Sequence, residues 1–433
     1  MTSPLLLTYP RAILKRWRGK QSFWALSDQG LVSLGSFATQ LVIARHVAPG
    51  LYGTYSLLLG VILFVNGIHG ALVTYPLSFR LATANEGEAA ALLRTACLLT
   101  TLLALPAALL GAGACAWLHA TGVLAAFLFS LLSWEFQEVF RRALMARMRY
   151  ASTIPGDAVS YLLQPLGMLM LAASGRISLG NLFWCAGATS LVAAAVQCMQ
   201  TRSRAVPAGA NTGGAAFWNL GKWALGNRVM SLTNAQAFTW FLGISAGPAA
   251  AAGLQAVGNA LGATHPAMFG IANVMLPSVA KAKEDGTAMA LDTARRYSLQ
   301  GAALIVPYLT LLVIAPEAVL HLLYGAASAY GSLITPMRIM AGTYFLLYLG
   351  QVTGGAALGL GHASSTFWSG AAGTMVAAMV GLPLVIILGI DGAALGYLAS
   401  TAAVFGVNSC FLRRSLQQSR LTWSWLVRGA EIT

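Results

Sequence analysis

The chain has 433 residues, of which 57% are hydrophobic and only 9% are charged, and its mean hydropathy is +0.70. This composition excludes an ordinary soluble fold, because too little polar surface is available to cover an apolar core, and it indicates a membrane protein. The net charge of +14 alone would suggest nucleic acid binding. We expect none, because the basic residues lie at the ends of apolar segments, where the positive-inside rule and anionic lipids account for them.

Apolar stretches recur along the chain from Trp24 to Phe411. Because a helix that spans a bilayer needs about 20 apolar residues, the stretches predict about twelve transmembrane helices. These helices nearly exhaust the chain, so we expect an all-α polytopic membrane protein without a separate soluble domain. The five cysteines lie in apolar segments without paired spacing, which indicates neither disulfides nor a metal site.

The basic residues predict the orientation in the membrane. Of the 26 Lys and Arg residues, all but Arg45, Arg176, Arg228 and Arg338 fall in alternate gaps between the predicted helices. Since basic residues concentrate in cytoplasmic loops, both termini are expected in the cytosol.

An internal duplication predicts two lobes. Each half contains, in order, a Phe-Trp pair, two prolines and an acidic loop: Phe23-Trp24, Pro49, Pro76 and residues 85–88, then Phe217-Trp218, Pro248, Pro277 and residues 283–286. Repeats of this kind are common in transporters, where the binding site lies between the two lobes. The predicted organisation is a basic N-terminal segment (1–22), an N-lobe (23–200), a cytosolic linker (201–216), a C-lobe (217–413) and a C-terminal tail (414–433).

Polar side chains within the predicted spans concentrate on the first two helices of each half. Such residues are costly in lipid, so they usually face a cavity or one another. The candidate cavity residues are Asp28, Arg45, Asn66, His69, Asn227, Arg228, Asn234, Gln255, Asn259, His265 and Arg338.

The most specific expectation among these residues concerns Arg228. It lies nearly two turns beyond Lys222, too deep to reach the headgroups easily, so we expect an anion or an acidic partner in the cavity, with Asp28 as the natural protein partner.

The other candidates have structural alternatives. The amides equally fit hydrogen bonds between helices, and His69 and His265 fit packing positions. Arg45 and Arg338 either snorkel to headgroups or line the outer mouth of the cavity. Outside this set, Glu135 and Glu138 with Arg141 and Arg142 are expected to form a charge cluster at the inner surface.

The one sequence match to an enzyme motif lies in a structural context that does not suit catalysis. Residues 243–247 match GxSxG, but they end a predicted membrane helix and do not join a strand to a helix, so we expect no enzyme. No nucleotide-binding or metalloprotease motif is present in the sequence. The GxxxG pairs Gly258/Gly262, Gly355/Gly359 and Gly392/Gly396 predict close helix packing.

The end of the first apolar stretch carries a family resemblance. Ile43-Ala44-Arg45, followed by residues 48–55 (APGLYGTY), resembles the opening of polysaccharide-biosynthesis flippases of the MOP exporter superfamily, and the layout is similar over essentially the whole chain. The resemblance implies two six-helix bundles forming a V-shaped cleft, in the bacterial cytoplasmic (inner) membrane. It also implies flipping of undecaprenyl-diphosphate-linked oligosaccharides from the inner to the outer leaflet, with Arg228 meeting the diphosphate or acidic sugars.

Several functional expectations follow from this resemblance. The substrate is a lipid-linked oligosaccharide, the partners are membrane lipids and polysaccharide polymerase or export machinery, and no cofactor is needed beyond an H⁺ or Na⁺ gradient. The alternative is a cation-coupled multidrug exporter of the MATE type, with Asp28 as the coupling carboxylate. A membrane glycosyltransferase or polymerase is a third possibility, but such proteins usually have sizeable outer loops, and the outer loops here are short.

Overall fold

The computed structural model describes residues 21–201, 213–362 and 364–418, and these residues form helices joined by short turns, without a strand. The all-helical prediction is therefore confirmed for this part of the chain. Most of the predicted terminal segments (1–22 and 414–433) and of the linker (201–216) lies outside the described residues, so the division at the linker stays a prediction.

The helices follow one another with few interruptions. The first half contains α1 Gln21–His46, α2 Pro49–His69, α3 Tyr75–Leu81, α4 Glu86–Trp117, α5 Leu124–Ala146, α6 Tyr150–Ala173 and α7 Leu179–Thr201. The second half contains α8 Gly214–Ala246, α9 Pro248–Gly262, α10 His265–Ala282, α11 Thr287–Ile314, α12 Pro316–Tyr324, α13 Ile334–Gly359, α14 Ser364–Val376 and α15 Leu382–Gln418. Pro49 and Pro248, which the duplication aligns, each begin a helix, whereas Pro76 lies in the first turn of α3 and Pro277 lies inside α10.

The chain is a multi-pass membrane protein. Within the described residues, six helical segments are long and apolar enough to cross a membrane: Pro49–Leu81, Glu86–Trp117, Thr121–Ala146, Leu179–Thr201, Thr287–Ile314 and Ser364–Arg414. The count of twelve spans and the cytosolic position of the termini stay predictions.

A π turn, Gly70–Thr74, interrupts the helical segment between α2 and α3. The ring of Pro76 has no N–H and crowds the carbonyl four residues earlier, so the helix widens before it. The Tyr75 N–H accordingly bonds to Gly70 O, five residues back. The interruption directly follows His69.

The predicted acidic loop at residues 85–88 is largely the first turn of α4. Asn85 caps the helix: its Oδ1 accepts from the Glu88 N–H at 3.0 Å, and Glu88 Oε2 accepts from the Asn85 N–H at 3.2 Å. This capping box satisfies two backbone donors that the helix leaves free.

Replacing Asn85 with Ala should lower the free energy of unfolding by about 1 kcal/mol, because the helix N-terminus loses its side-chain acceptor. Thermal unfolding in detergent measures the change. Thr83→Ala, which alters a polar residue two positions earlier, is the control and should change stability little. Equal stability of the Asn85 variant and the wild type would contradict the assignment of the cap.

Helix α15 doubles back at Gly389, which has φ 57° and ψ −124°. A side chain strains this conformation, so glycine suits the position. After the reversal the two arms pack closely, and a Cβ at Gly392 would lie 1.9 Å from Leu384 O. The Gly392/Gly396 and Gly355/Gly359 pairs are tightly packed, as predicted, but the prediction for Gly258/Gly262 is wrong, because a Cβ at Gly258 would have no neighbour within 4 Å.

The chain folds into two compact units. Unit 1 consists of Met1–Val42 and Val61–Val229, and unit 2 consists of Ile43–Gly60 and Met230–Thr433. The boundaries fall inside α1, α2 and α8. One core cluster of unit 1 contains Val73, Leu77, Leu81, Ala89, Leu92, Ala96, Val139, Ala143 and Phe217, and one of unit 2 contains Phe238, Leu242, Leu254, Ala377, Val385 and Ala393.

Candidate functional site

The main polar feature of unit 1 is a buried ionic network around Arg141 of α5. Its guanidinium group donates from Nη2 to Asp28 Oδ2 of α1 at 2.8 Å and from Nε to Asp157 Oδ2 of α6 at 2.6 Å. Asp28 and Asp157 are fully buried, and Arg141 is 6% exposed. One cation thus joins two carboxylates from different helices.

The remaining oxygens of both carboxylates also have donors. Thr153 Oγ1 donates to Asp28 Oδ1 at 2.9 Å, and Gln197 Nε2 of α7 donates to Asp157 Oδ1 at 2.8 Å. Burying a carboxylate is costly unless it is paired and hydrogen-bonded. These side chains therefore hold α1, α5, α6 and α7 together around the charges.

Glu138 extends the network along α5. Its Oε1 accepts from Arg142 Nε at 2.5 Å, and its Oε2 lies 3.6 Å from Arg141 Nη1. Glu138 is buried, whereas the Arg142 side chain is 47% exposed. The carboxyl groups of Asp28, Asp157 and Glu138 thus all contact the Arg141 guanidinium group, and Glu138 also contacts Arg142.

A second buried pair lies one turn earlier on α5. His69 Nδ1, at the end of α2, is 2.6 Å from Glu135 Oε2, and His69 Nε2 is 2.8 Å from Thr100 Oγ1 of α4. The side chains of His69 and Glu135 are 2% and 4% exposed. Glu135 Oε1 has no hydrogen-bond partner among the described residues.

Two expectations about these charges are wrong. Asp28 does not pair with Arg228, because Arg141 and Thr153 already bond to its carboxylate. The predicted charge cluster of α5 does not lie at a surface: Glu135, Glu138 and Arg141 are buried. Arg141 is paired in the interior with the acids of α1 and α6.

Arg228 is exposed on α8 and forms no ion pair with a described residue. The side chain of Asn227 lies outside the described residues. Asn66, also in unit 1, is half-buried, and its Nδ2 has no partner among the described residues.

Arg45 and Arg338 of unit 2 contact main-chain carbonyls. Arg45 donates to Leu322 O and Leu323 O near the end of α12, and Arg338 Nε donates to Val313 O at 3.0 Å near the end of α11. Cations at these positions satisfy carbonyls that the helices leave free. This geometry gives both side chains a structural role, and contact with a substrate stays a prediction.

The turn after α12 contains Tyr330, whose ring packs edge-on against Tyr52 and Tyr324. Burial raises the pKa of Tyr330 to about 12, so its hydroxyl remains neutral near pH 7. It therefore adds no anion to the tyrosine cluster.

The remaining candidates of unit 2 are partly or fully buried polar side chains. Asn234 is half-buried with an Oδ1 that lacks a partner among the described residues, and Gln255 is half-buried. Asn259 is buried beside Tyr324, whose hydroxyl donates to Ala256 O at 2.8 Å. The His265 ring stacks on Tyr344, with 5.6 Å between the centroids. Packing explains His265, and cavity roles for these residues stay predictions.

Sequence reasoning missed most of the partners in the unit 1 network. Asp157 and Gln197 are not among the predicted cavity residues, although a lone acid and a lone amide in apolar segments are unusual within membrane helices. Thr100 and Thr153 gave no signal, because threonine in a span commonly bonds to its own helix. Which acids meet which base depends on helix packing, which the sequence pattern does not specify.

The GxSxG segment has no catalytic geometry. Residues 243–246 end α8, and Ser245 Oγ donates to Phe241 O of the same helix at 2.9 Å. The strand and sharp turn that expose a nucleophilic serine do not occur here.

No family model matches the chain, and no curated protein matches it. Solved structures match over nearly the full length. An inward-facing multidrug resistance MATE family transporter of the MOP superfamily has a TM-score of 0.64 and 12% identity, covering 93% of this chain and 96% of its own. The lipid II flippase MurJ in an inward closed conformation has a TM-score of 0.71 and 10% identity, covering 92% of this chain and 90% of its own.

A third similar structure is a MOP superfamily transporter from Pyrococcus furiosus, described as having a binding pocket of reverse polarity. It has a TM-score of 0.62 and 9% identity, covering 94% of this chain and 95% of its own. The chain therefore has the fold of MOP superfamily transporters. These three neighbours are described as two transporters and a flippase.

Proposed function

We propose that this protein flips undecaprenyl-diphosphate-linked oligosaccharide repeat units from the inner to the outer leaflet of the bacterial cytoplasmic membrane, for exopolysaccharide or O-antigen synthesis. A diphosphate and a chain of hydroxyl groups cannot cross hydrocarbon unaided, so the carrier must offer them a hydrated cationic path. Two six-helix lobes around a V-shaped central cleft would provide this path. Membrane lipids and the polymerase or export machinery would be its partners.

The observation that carries the proposal is the contrast between Arg228 and Asp28. Arg228 is exposed and has no ion pair among the described residues, whereas Asp28 is fully buried and bonded to Arg141 and Thr153. A diphosphate needs a free cation, and an organic cation needs a free anion. Of these two residues, it is the cation that is free to meet a ligand.

The second candidate is a cation-coupled multidrug exporter of the MATE type. The fold similarity favours both functions, since a MATE transporter and a lipid II flippase match over similar shares of the chain. In this alternative, Asp28 would have to leave Arg141 to bind a coupling ion or a drug. The loss of two buried hydrogen bonds opposes that step.

Replacing Arg228 with Ala should abolish exchange of the lipid-linked oligosaccharide without unfolding the protein, because the diphosphate loses its cationic contact while no described ion pair is broken. Proteoliposomes that contain a fluorescent undecaprenyl-diphosphate oligosaccharide would measure exchange between leaflets. Arg228→Lys, which keeps the charge but loses the planar fork, should retain part of the activity.

The matched control is Lys222→Ala, which removes an exposed cation from the same helix. Lys222 Nζ lies 5.6 Å from the centroid of its neighbour Trp223, so its removal costs only a surface contact. We expect near wild-type exchange. Equal activity of Arg228→Ala and wild type would contradict the role of Arg228, and uptake of ethidium that Asp28→Asn abolishes would favour the exporter.

A further inference from the structure

We propose that a crevice at one end of unit 1 binds an anionic phospholipid, whose phosphate group contacts Arg147 and Arg149. The crevice lies at the helix ends that the basic residues predict to be cytosolic, so the lipid would come from the inner leaflet. The site is separate from the contact proposed between Arg228 and the transported substrate. Its role does not depend on which substrate the protein carries.

The crevice lies where three helices of unit 1 end and a fourth begins. It contains about 260 Å³ of empty space, which accommodates the part of a lipid next to its phosphate but not a whole lipid. Most of its walls are apolar, so burial of carbon chain there is favourable. The lining residues are Leu81 of α3, Ala89 and Leu93 of α4, Ala143 and Leu144 of α5, Arg147 and Arg149 in the turn after α5, and Thr201 of α7.

The two arginines that line the crevice retain donors for a phosphate group. Arg147 Nη1 donates to Glu86 Oε1 at 2.8 Å, and Arg149 Nη1 donates to Gln200 O at 3.0 Å. A guanidinium group has five N–H donors, so one such bond leaves most of them for a ligand. The Glu86 side chain is 65% exposed, so it can turn to water when a phosphate takes its place. Paired guanidinium groups suit phosphate, because each offers a planar fork of donors.

The turn that carries the arginines has a backbone conformation that favours glycine. Met148 has φ 57°, and the Arg149 N–H donates to Leu144 O at 2.9 Å, which closes the end of α5. Glycine is the usual residue at this position of a helix end, and a strained residue there often marks a functional position. The Met148 side chain is 54% exposed. An exposed apolar side chain between two cations suits the boundary between headgroups and acyl chains.

The start of α6 also favours an anion at this place. Helix α6 begins at Tyr150, directly after Arg149, and its N-terminus has no side-chain cap. The first N–H groups of a helix have no partner within the helix and carry a partial positive charge. A phosphate group at Arg149 would also meet this positive end. A zwitterionic lipid fits less well, because its headgroup brings a cation towards the two arginines.

Lipid binding is measured on the full chain in detergent, without any transported substrate. Native mass spectrometry would compare the retention of phosphatidylglycerol and phosphatidylcholine, added in equal amounts, by wild type, Arg147→Gln, Arg149→Gln and the double variant. We expect wild type to retain phosphatidylglycerol preferentially, and its affinity to fall about fivefold for each arginine removed. Arg147→Gln breaks only an exposed ion pair, so the variants should remain folded, which thermal unfolding would check.

Two control variants distinguish the site from general charge and from the shape of the turn. Arg296→Gln removes an exposed cation from unit 2 and should retain phosphatidylglycerol as wild type does. Met148→Gly keeps both arginines and favours the same turn, so it should also retain the lipid. Equal retention by wild type and the double variant would overturn the inference, and so would an equal loss in Arg296→Gln. Displacement of the lipid by inorganic phosphate would assign the site to a free anion and would also overturn it.

The oligosaccharide exchange assay separates this site from the path of the transported substrate. In vesicles of phosphatidylcholine alone, the double variant and wild type should exchange the lipid-linked oligosaccharide at the same rate. Loss of exchange in the double variant would assign the arginines to the substrate path and overturn the inference. Failure of wild type to exchange the oligosaccharide would contradict the flippase function, whereas the retention of phosphatidylglycerol would still test the lipid site.

Discussion

Replacing Arg141 with Met should lower the free energy of unfolding by about 3–5 kcal/mol, the range typical of removing one partner from a buried ion pair. Met fills a similar volume but leaves Asp28 and Asp157 without their shared cation. Both acids are fully buried, so water cannot replace the lost bonds. Chemical or thermal unfolding of the purified protein in detergent measures the loss.

The control for Arg141 is Arg296→Met. The Arg296 side chain is 73% exposed, and its Nη2 lies 2.7 Å from Asp292 Oδ2. A surface ion pair of this kind contributes about 0–1 kcal/mol, so this variant should remain close to wild type. Adding Asp157→Asn to Arg141→Met should restore part of the stability, because one unpaired acid is removed. If Arg141→Met were as stable as Arg296→Met, the assignment of a buried network around Arg141 would be contradicted.

Replacing Gly35 with Ala should destabilise unit 1 by about 1–3 kcal/mol, because the new methyl group meets main chain that cannot rotate away. A Cβ at Gly35 would lie 2.1 Å from Tyr161 O and 2.6 Å from Tyr161 Cβ of α6. To relieve this clash, helix α1 must move away from α6. Asp28 lies two turns before Gly35 on the same face, so the shift would also strain its bond to Arg141.

Gly30→Ala is the matched control on the same helix. A Cβ at Gly30 would have no neighbour within 4 Å, and alanine favours helix by up to about 1 kcal/mol relative to glycine. This variant should therefore be neutral or more stable. The same unfolding assay compares the two, and a Gly35→Ala protein as stable as Gly30→Ala would show that α1 and α6 do not approach as closely as the structure indicates.

The helical architecture was predictable because its causes are local. Runs of apolar residues, the prolines at 49 and 248 and the acidic start of α4 each predict a helix or its end from neighbouring residues alone. The turn at Gly389 lies in the gap between two predicted spans, residues 366–388 and the span centred near Val404. The π turn before Pro76 was not predicted. A proline in an apolar segment predicts a kink or a helix end but not that the helix widens into a π turn before it.

The candidate site was less predictable because its contacts join distant residues. The sequence identified Asp28 and His69 as unusual, but it paired Asp28 with Arg228 on depth alone. The structure pairs Asp28 with Arg141, 113 residues away, and His69 with Glu135. The predicted depth of a residue gives its position along the membrane normal, but it does not specify which helices are neighbours. The sequence therefore could not identify Arg141 and Glu135 of α5 as the partners of Asp28 and His69.

Leaflet exchange by the wild-type protein tests the central claim most directly. Proteoliposomes would contain fluorescent undecaprenyl-diphosphate oligosaccharide in one assay and would be offered ethidium in a parallel assay, under the same proton gradient. The account predicts exchange of the lipid-linked oligosaccharide above that of protein-free vesicles, with no protein-dependent transport of ethidium. Transport of ethidium without exchange of the lipid-linked sugar would contradict the flippase function and identify a drug exporter instead.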